Sequence, residues 1–179
     1  DQALPLKEVE QIDPFLLIHH AKVDVPKGTQ YKNVGVGPHP HRGFSPVTFV
    51  YKGSVLHQDS LGNRAEVSEG GTQWIHSGHG IQHSERPGKE FAEKGGVQEI
   101  IQFWVNTPAA HKMEPPTYKP ISNEETPKIN LDKVNISVVA GEYDGVKGVV
   151  ATYTPQKLLR IEFQETADLT LDIPESFNS

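Results

Sequence analysis

Short runs of apolar and β-branched residues, each broken by a turn signal, govern what this chain can become. Residues 16–23, 34–36, 45–52, 54–59, 72–76, 97–105, 135–140, 147–154, 157–163 and 167–173 all read as strands. Between them stand Pro26-Lys27-Gly28, Gly37-Pro38, Lys52-Gly53, Gly62-Asn63, Gly70-Gly71 and Gly95-Gly96. Glycine enters left-handed backbone without steric cost, so this punctuation suits tight reversals between strands. Helical periodicity is scarce: the best stretch is 8–17, and Pro14 interrupts it. The pattern predicts an all-β protein, a sandwich or barrel. Its 16 Gly and 14 Pro in 179 residues make a turn-rich chain.

The proline-rich stretch 108–133 breaks the pattern. It carries Pro108, Pro115, Pro116, Pro120 and Pro127 and few paired apolar positions. It reads as an extended linker between a β domain at 1–107 and a second β region at 134–179. The second region holds about half the strands of an eight-stranded barrel. An open half-barrel exposes strand edges and an apolar face. The expectation is therefore the start of a C-terminal domain, truncated relative to a longer protein.

Composition narrows the function classes. Seventeen basic and 23 acidic residues give a net charge of −6 with neutral His, and no basic tract is present, so direct nucleic-acid contact is not expected. No apolar run is long enough for a membrane-spanning helix. With no Cys there is no disulfide framework, thiolate metal site or Cys nucleophile. The opening residues lack the apolar core of a signal peptide, so the expected compartment is the cytoplasm, with the nucleus open for a eukaryotic source.

Nine His in a Cys-free chain direct attention to metal chemistry. In Gly37-Pro38-His39-Pro40-His41-Arg42-Gly43-Phe44, the two His are spaced i, i+2. On a strand that spacing puts both imidazoles on one face. Taken alone, the motif fits two exposed loop histidines near two prolines better than a metal site. A second cluster, Trp74-Ile75-His76-Ser77-Gly78-His79-Gly80-Ile81-Gln82-His83-Ser84-Glu85, repeats the spacing with His83 and Glu85. Three imidazoles and a carboxylate make a mixed N/O donor set that leaves positions open for water, dioxygen or substrate. Iron, nickel, copper, manganese, cobalt and zinc all accept such donors.

These motifs, with the 47–62 stretch, Gln73-Trp74 and Gln102-Phe103-Trp104-Val105-Asn106, resemble the pirin family of the cupin superfamily. The resemblance covers essentially the whole chain and is strongest at 35–107. It implies a cupin β-barrel (a double-stranded β-helix, or jelly roll) followed by an incomplete second one. It also implies one divalent transition metal, iron foremost, held by His39, His41, His83 and Glu85. Region 134–179 contains no His, in keeping with a second barrel that holds no metal. The implied activity is that of a quercetin 2,3-dioxygenase, cleaving a flavonol with dioxygen, with Glu85 as catalytic base. The alternative is a metal- or redox-dependent regulator acting through a protein partner. Gln98, Gln102, His76 and His79 are candidates for the surrounding shell or pocket; His76 and His79 stand where relatives usually carry Thr and Arg. His57 is expected to point outward from its strand, and Arg42 to lie at the surface.

Overall fold

The computed structural model describes residues 1–178. It divides into two units, Asp1–Asn123 and the stretch from Glu124 onward. In the first unit the strands are β1 (Gln2–Leu4), β2 (Phe15–Val25), β3 (Val36–His41), β4 (Phe44–Lys52), β5 (Ser54–Asp59), β6 (Arg64–Ser68), β7 (Thr72–His76), β8 (Ile81–Arg86), β9 (Gly96–Asn106) and β10 (Thr117–Ile121). The short helix α1 (Lys89–Lys94) lies between β8 and β9. Among the described residues, no helix is long and apolar enough to cross a membrane.

The strands form two antiparallel sheets, ordered β1-β2-β9-β4-β7-β10 and β3-β8-β5-β6. This is the expected all-β cupin architecture, with a barrel whose seam is not closed by pairing. The sheets pack through a core that includes Val50 from one and Val55 and Val67 from the other. Central strand β4 is buried along most of its length, and Phe49, 1% exposed, meets Phe103 edge-on at 5.2 Å. Between β4 and β5 the chain reverses at Gly53, whose φ of +76° and contact with the Phe91 ring leave no room for a side chain.

The proline-rich stretch is not an extended linker throughout. Residues Thr117–Ile121 form β10, the edge strand paired to β7. Pro120 is tolerated because an edge strand need not donate on its outer side. The boundary between units accordingly falls at Asn123/Glu124 rather than after residue 107. The interrupted helical pattern at 8–17 forms no helix; strand pairing takes over from Phe15.

In the second unit the strands are β11 (Lys128–Asn130), β12 (Val134–Ala140), β13 (Glu142–Tyr143), β14 (Val146–Lys147) and β15 (Leu158–Phe163). They make a three-stranded sheet, β11-β12-β15, and the hairpin β13-β14. Val134, Ile136 and Val138 centre its core. Two expected strands differ. The 147–154 run keeps only its first residue in a strand, and Val150 makes a single bridge to Ala140. The 167–173 run forms no strand; Ala167 and Leu169 instead pack on the Val134–Ile136–Val138 cluster.

Candidate metal centre

Two adjacent strands supply the imidazoles. On β3, strand alternation turns His39 and His41 to one side. Strand β8 pairs with β3 so that His39 lies opposite His83. The possible ligand atoms of His39, His41 and His83 all lie within 4.8 Å of one another. The three rings approach at centroid separations of 4.7 Å (His39–His41), 4.4 Å (His39–His83) and 4.9 Å (His41–His83).

The nitrogens are arranged for a cation. His39 Nδ1–H donates to the Gly37 carbonyl at 2.8 Å, which leaves the Nε2 lone pair free. That Nε2 lies 3.0 Å from His41 Nε2, a separation that either a hydrogen bond between the rings or a cation held by both nitrogens satisfies. His83 Nε2 is buried and has no hydrogen-bond partner. An orphaned buried imidazole nitrogen is costly unless something outside the protein completes it. Burial, reinforced by the neighbouring His39, holds His41 down to about pKa 4. Burial and the surrounding imidazoles hold His83 down to about 3. Both rings are therefore neutral at physiological pH, the form that ligates metals. The residues present fit a divalent transition metal.

Glu85 stands outside that three-nitrogen group. The register Thr48↔Gln102 and Thr48↔Gln73 sets three polar side chains in a row across β9, β4 and β7. This row meets the Glu85 carboxylate arriving from the other sheet. Gln102 Nε2–H donates to Glu85 Oε2 at 3.0 Å, the Thr48 hydroxyl to Oε1 at 3.4 Å, and Gln73 Nε2–H to Oε1. Trp104 Nε1–H donates to Gln102 Oε1 at 3.2 Å and so turns the Gln102 amide group toward the carboxylate. Withdrawal from water pushes the Glu85 pKa up, and the hydrogen bonds only partly oppose this.

A cavity of about 620 Å³ opens beside these groups, lined by His39, His41, Glu85 and Gln102 together with Phe44 and Trp104. Phe44 and Trp104 lie 4.7 Å apart and form an aromatic wall, with His41 5.1 Å from Phe44. Such a cleft, mostly apolar with few polar groups, is suited to a small planar molecule.

Other expected site residues lie elsewhere. Gln98 Nε2–H donates to the Ser54 carbonyl at 2.6 Å, so it braces backbone rather than the centre. His76 is buried on β7, where its electrostatic neighbours are Glu114 and His111. His79 is exposed. Neither belongs to the three-imidazole group. Arg42 is exposed and reaches the Met113 sulfur at 3.5 Å.

His57 reverses its expectation. It is 0% exposed, because β5 pairs with β8 and places His57 opposite Glu85 on the inner face. Its Nδ1 lies 3.3 Å from His83 Nδ1 and its Nε2 2.9 Å from Asp59 Oδ2. The i, i+2 spacing of His57 and Asp59 was the available signal, identical in kind to that of His83 and Glu85.

The pirin family model matches residues 1–105. A pirin-like protein of Arabidopsis thaliana is 36% identical over 172 residues, covering 96% of this chain and 50% of its own length. Human pirin is 35% identical over 173 residues, 96% of this chain and 56% of its own. The crystal structure of a quercetin 2,3-dioxygenase from Acinetobacter baumannii superposes with a TM-score of 0.78 at 40% identity, over 83% of this chain and 52% of that one. The chain thus spans about half the length of the curated relatives it matches.

Proposed function

We propose that this chain, which belongs to the pirin family, forms the metal-binding half of a dioxygenase acting on quercetin-type flavonols. The observation that carries this reading is the convergence of His39, His41 and His83, with His83 Nε2 buried and unpartnered, beside an aromatic-walled cavity. These three imidazoles would hold a divalent transition metal. The family resemblance makes iron the first choice and Glu85 the fourth ligand. Such a metal supplies Lewis acidity to a substrate hydroxyl and redox chemistry toward dioxygen.

The protein's own groups do the rest. Glu85 accepts the proton of the flavonol hydroxyl; its raised pKa brings the carboxylate closer to neutral pH, where proton transfer is more effective. Gln102, Thr48 and Gln73 hold that carboxylate in place. Phe44 and Trp104 would stack against the flavonol rings and keep water from them. Once deprotonated, the flavonol would take up both atoms of dioxygen, the two carbon–carbon bonds flanking its hydroxyl-bearing carbon would break to release that carbon as carbon monoxide, both dioxygen atoms would stay in the ester product, and Glu85 would return the proton to it.

The test is elemental analysis of purified protein together with quercetin turnover in air. About one transition metal per chain is expected, with both metal and turnover lost in a His39→Ala/His83→Ala variant. Glu85→Gln is expected to lower kcat by about 10²–10⁴-fold. Full turnover by metal-loaded Glu85→Gln protein would refute its role as base. Metal binding without turnover would refute the dioxygenase and favour a metal-dependent regulator acting on a protein partner.

A further inference from the structure

Behind His83 lies a chain of hydrogen-bonding groups that reaches a carboxylate. Asp59 accepts four hydrogen bonds: from Leu61 N–H at 2.9 Å and Asn63 N–H at 3.0 Å on Oδ1, and from the Asn63 side-chain amide at 2.8 Å and His57 Nε2–H at 2.9 Å on Oδ2. A carboxylate saturated with donors leaves His57 no option but to place its proton on Nε2. His57 Nδ1 is then an acceptor, and the group it faces at 3.3 Å, His83 Nδ1, must be the donor. The remaining nitrogen of His83, Nε2, is the buried unpartnered one at the imidazole cluster. The His57 ring has little freedom to escape this arrangement. It is stacked on Tyr118 at 3.7 Å with an 8° interplanar angle, and both the His57 and Asp59 side chains are closed to solvent.

We propose that Asp59 and His57 are positioning residues that set the tautomer of His83 and hold its Nε2 lone pair toward the metal site. This rests on the reading of His83 as a ligand. Ligating His commonly donates its second N–H directly to a carboxylate or carbonyl. Here a second imidazole is interposed, and the polarity of the whole chain is set at Asp59. Tyr118, on the proline-rich segment, would act as the clamp that keeps the interposed ring in plane.

The critical variant is Asp59→Asn. The Leu61 and Asn63 N–H groups require an oxygen at the Oδ1 position. The new amide nitrogen therefore takes the Oδ2 position, where the exposed Asn63 side-chain amide turns away from it and the buried His57 Nε2, which cannot, becomes its acceptor. The His57 proton moves to Nδ1, and His83 is driven to carry its proton on Nε2, where it blocks ligation. His57→Leu removes the acceptor for His83. His57→Gln restores one, because its carbonyl oxygen can take the His83 Nδ1–H while its amide donates to Asp59.

The experiment is ¹⁵N NMR of the imidazoles in the metal-free protein, which reads each tautomer directly, combined with cobalt(II) affinity measured by competition with a chromophoric chelator. The expected result is Nδ1–H His83 in the wild type and Nε2–H His83 in Asp59→Asn. Cobalt affinity is expected to fall about 10–100-fold in Asp59→Asn and His57→Leu and to recover largely in His57→Gln. A wild-type His83 protonated on Nε2, or affinities unchanged in Asp59→Asn and His57→Leu, would overturn the proposal. Should His57→Leu fail to fold, Asp59→Asn and His57→Gln still decide the matter. If cobalt does not bind the wild type, the ligand reading fails, and the tautomer spectra still test the relay by themselves.

Discussion

Lowering the pH of the metal-free protein from 8 to 5 is expected to remove about 4 kcal/mol of stability through His41 and His83 alone. In the unfolded chain both rings titrate near 6.5; in the folded protein burial and neighbouring imidazoles hold them to about 4 and about 3. Both folded values are depressed, so the stabilising contribution is present above the unfolded value and is lost as the pH falls toward the folded ones. Between those limits the unfolded chain takes up two protons that the native state refuses, a slope of about 2.7 kcal/mol per pH unit. At pH 5 each ring remains neutral in the native state and costs about 2 kcal/mol. Urea unfolding in the presence of a chelator, followed by tryptophan fluorescence, measures the effect. The comparison is with His41→Gln/His83→Gln, which has no proton to take up at these positions. Glu85 acts with the opposite sign, because its raised pKa gives stability that is lost as pH rises, and it is common to both proteins. Between pH 8 and 5 the wild type should lose about 4 kcal/mol more stability than the variant, about 2 M in urea midpoint. Parallel pH profiles for the two proteins would refute the claim that the folded site keeps these imidazoles neutral.

Phe49→Ala should cost about 3–5 kcal/mol, because its fully buried ring packs on Phe103 and leaves a cavity in a central strand; thermal unfolding measures this. Gly78→Ala should cost about 2 kcal/mol or more, since its φ is +47° and a Cβ there collides with the Glu114 carbonyl; equilibrium unfolding checks it, and wild-type stability would contradict the geometry. Gln102→Leu deprives Glu85 of a donor and Trp104 of an acceptor. It should destabilise the protein by about 1–3 kcal/mol and raise the Glu85 pKa further, shifting the acid limb of the turnover profile to higher pH.

Much of the centre was legible from spacing alone. Strand alternation has a period of two, so His39 with His41 and His83 with Glu85 each announce one face. Gln98 and Gln102 share a parity as well, and alternation cannot separate them. Register does: Gln102 pairs with Thr48 and reaches Glu85, whereas Gln98 lies level with Val23 and bonds Ser54. His57 shows the same limit. Its spacing to Asp59 was visible, but which way their shared face turned depended on the pairing of β5 with β8, a contact between residues distant in sequence. Tyr118 sits among prolines that read as a linker, and only the free edge of β7 made that segment a strand. What the sequence by itself determined was the all-β character, the turns and the two pairs of ligand-type residues, because propensity and alternation are local. The tertiary structure alone decided which faces met, which buried nitrogens lost their partners and which carboxylate stood behind His83, because strand register and sheet packing are set by contacts that no local pattern encodes.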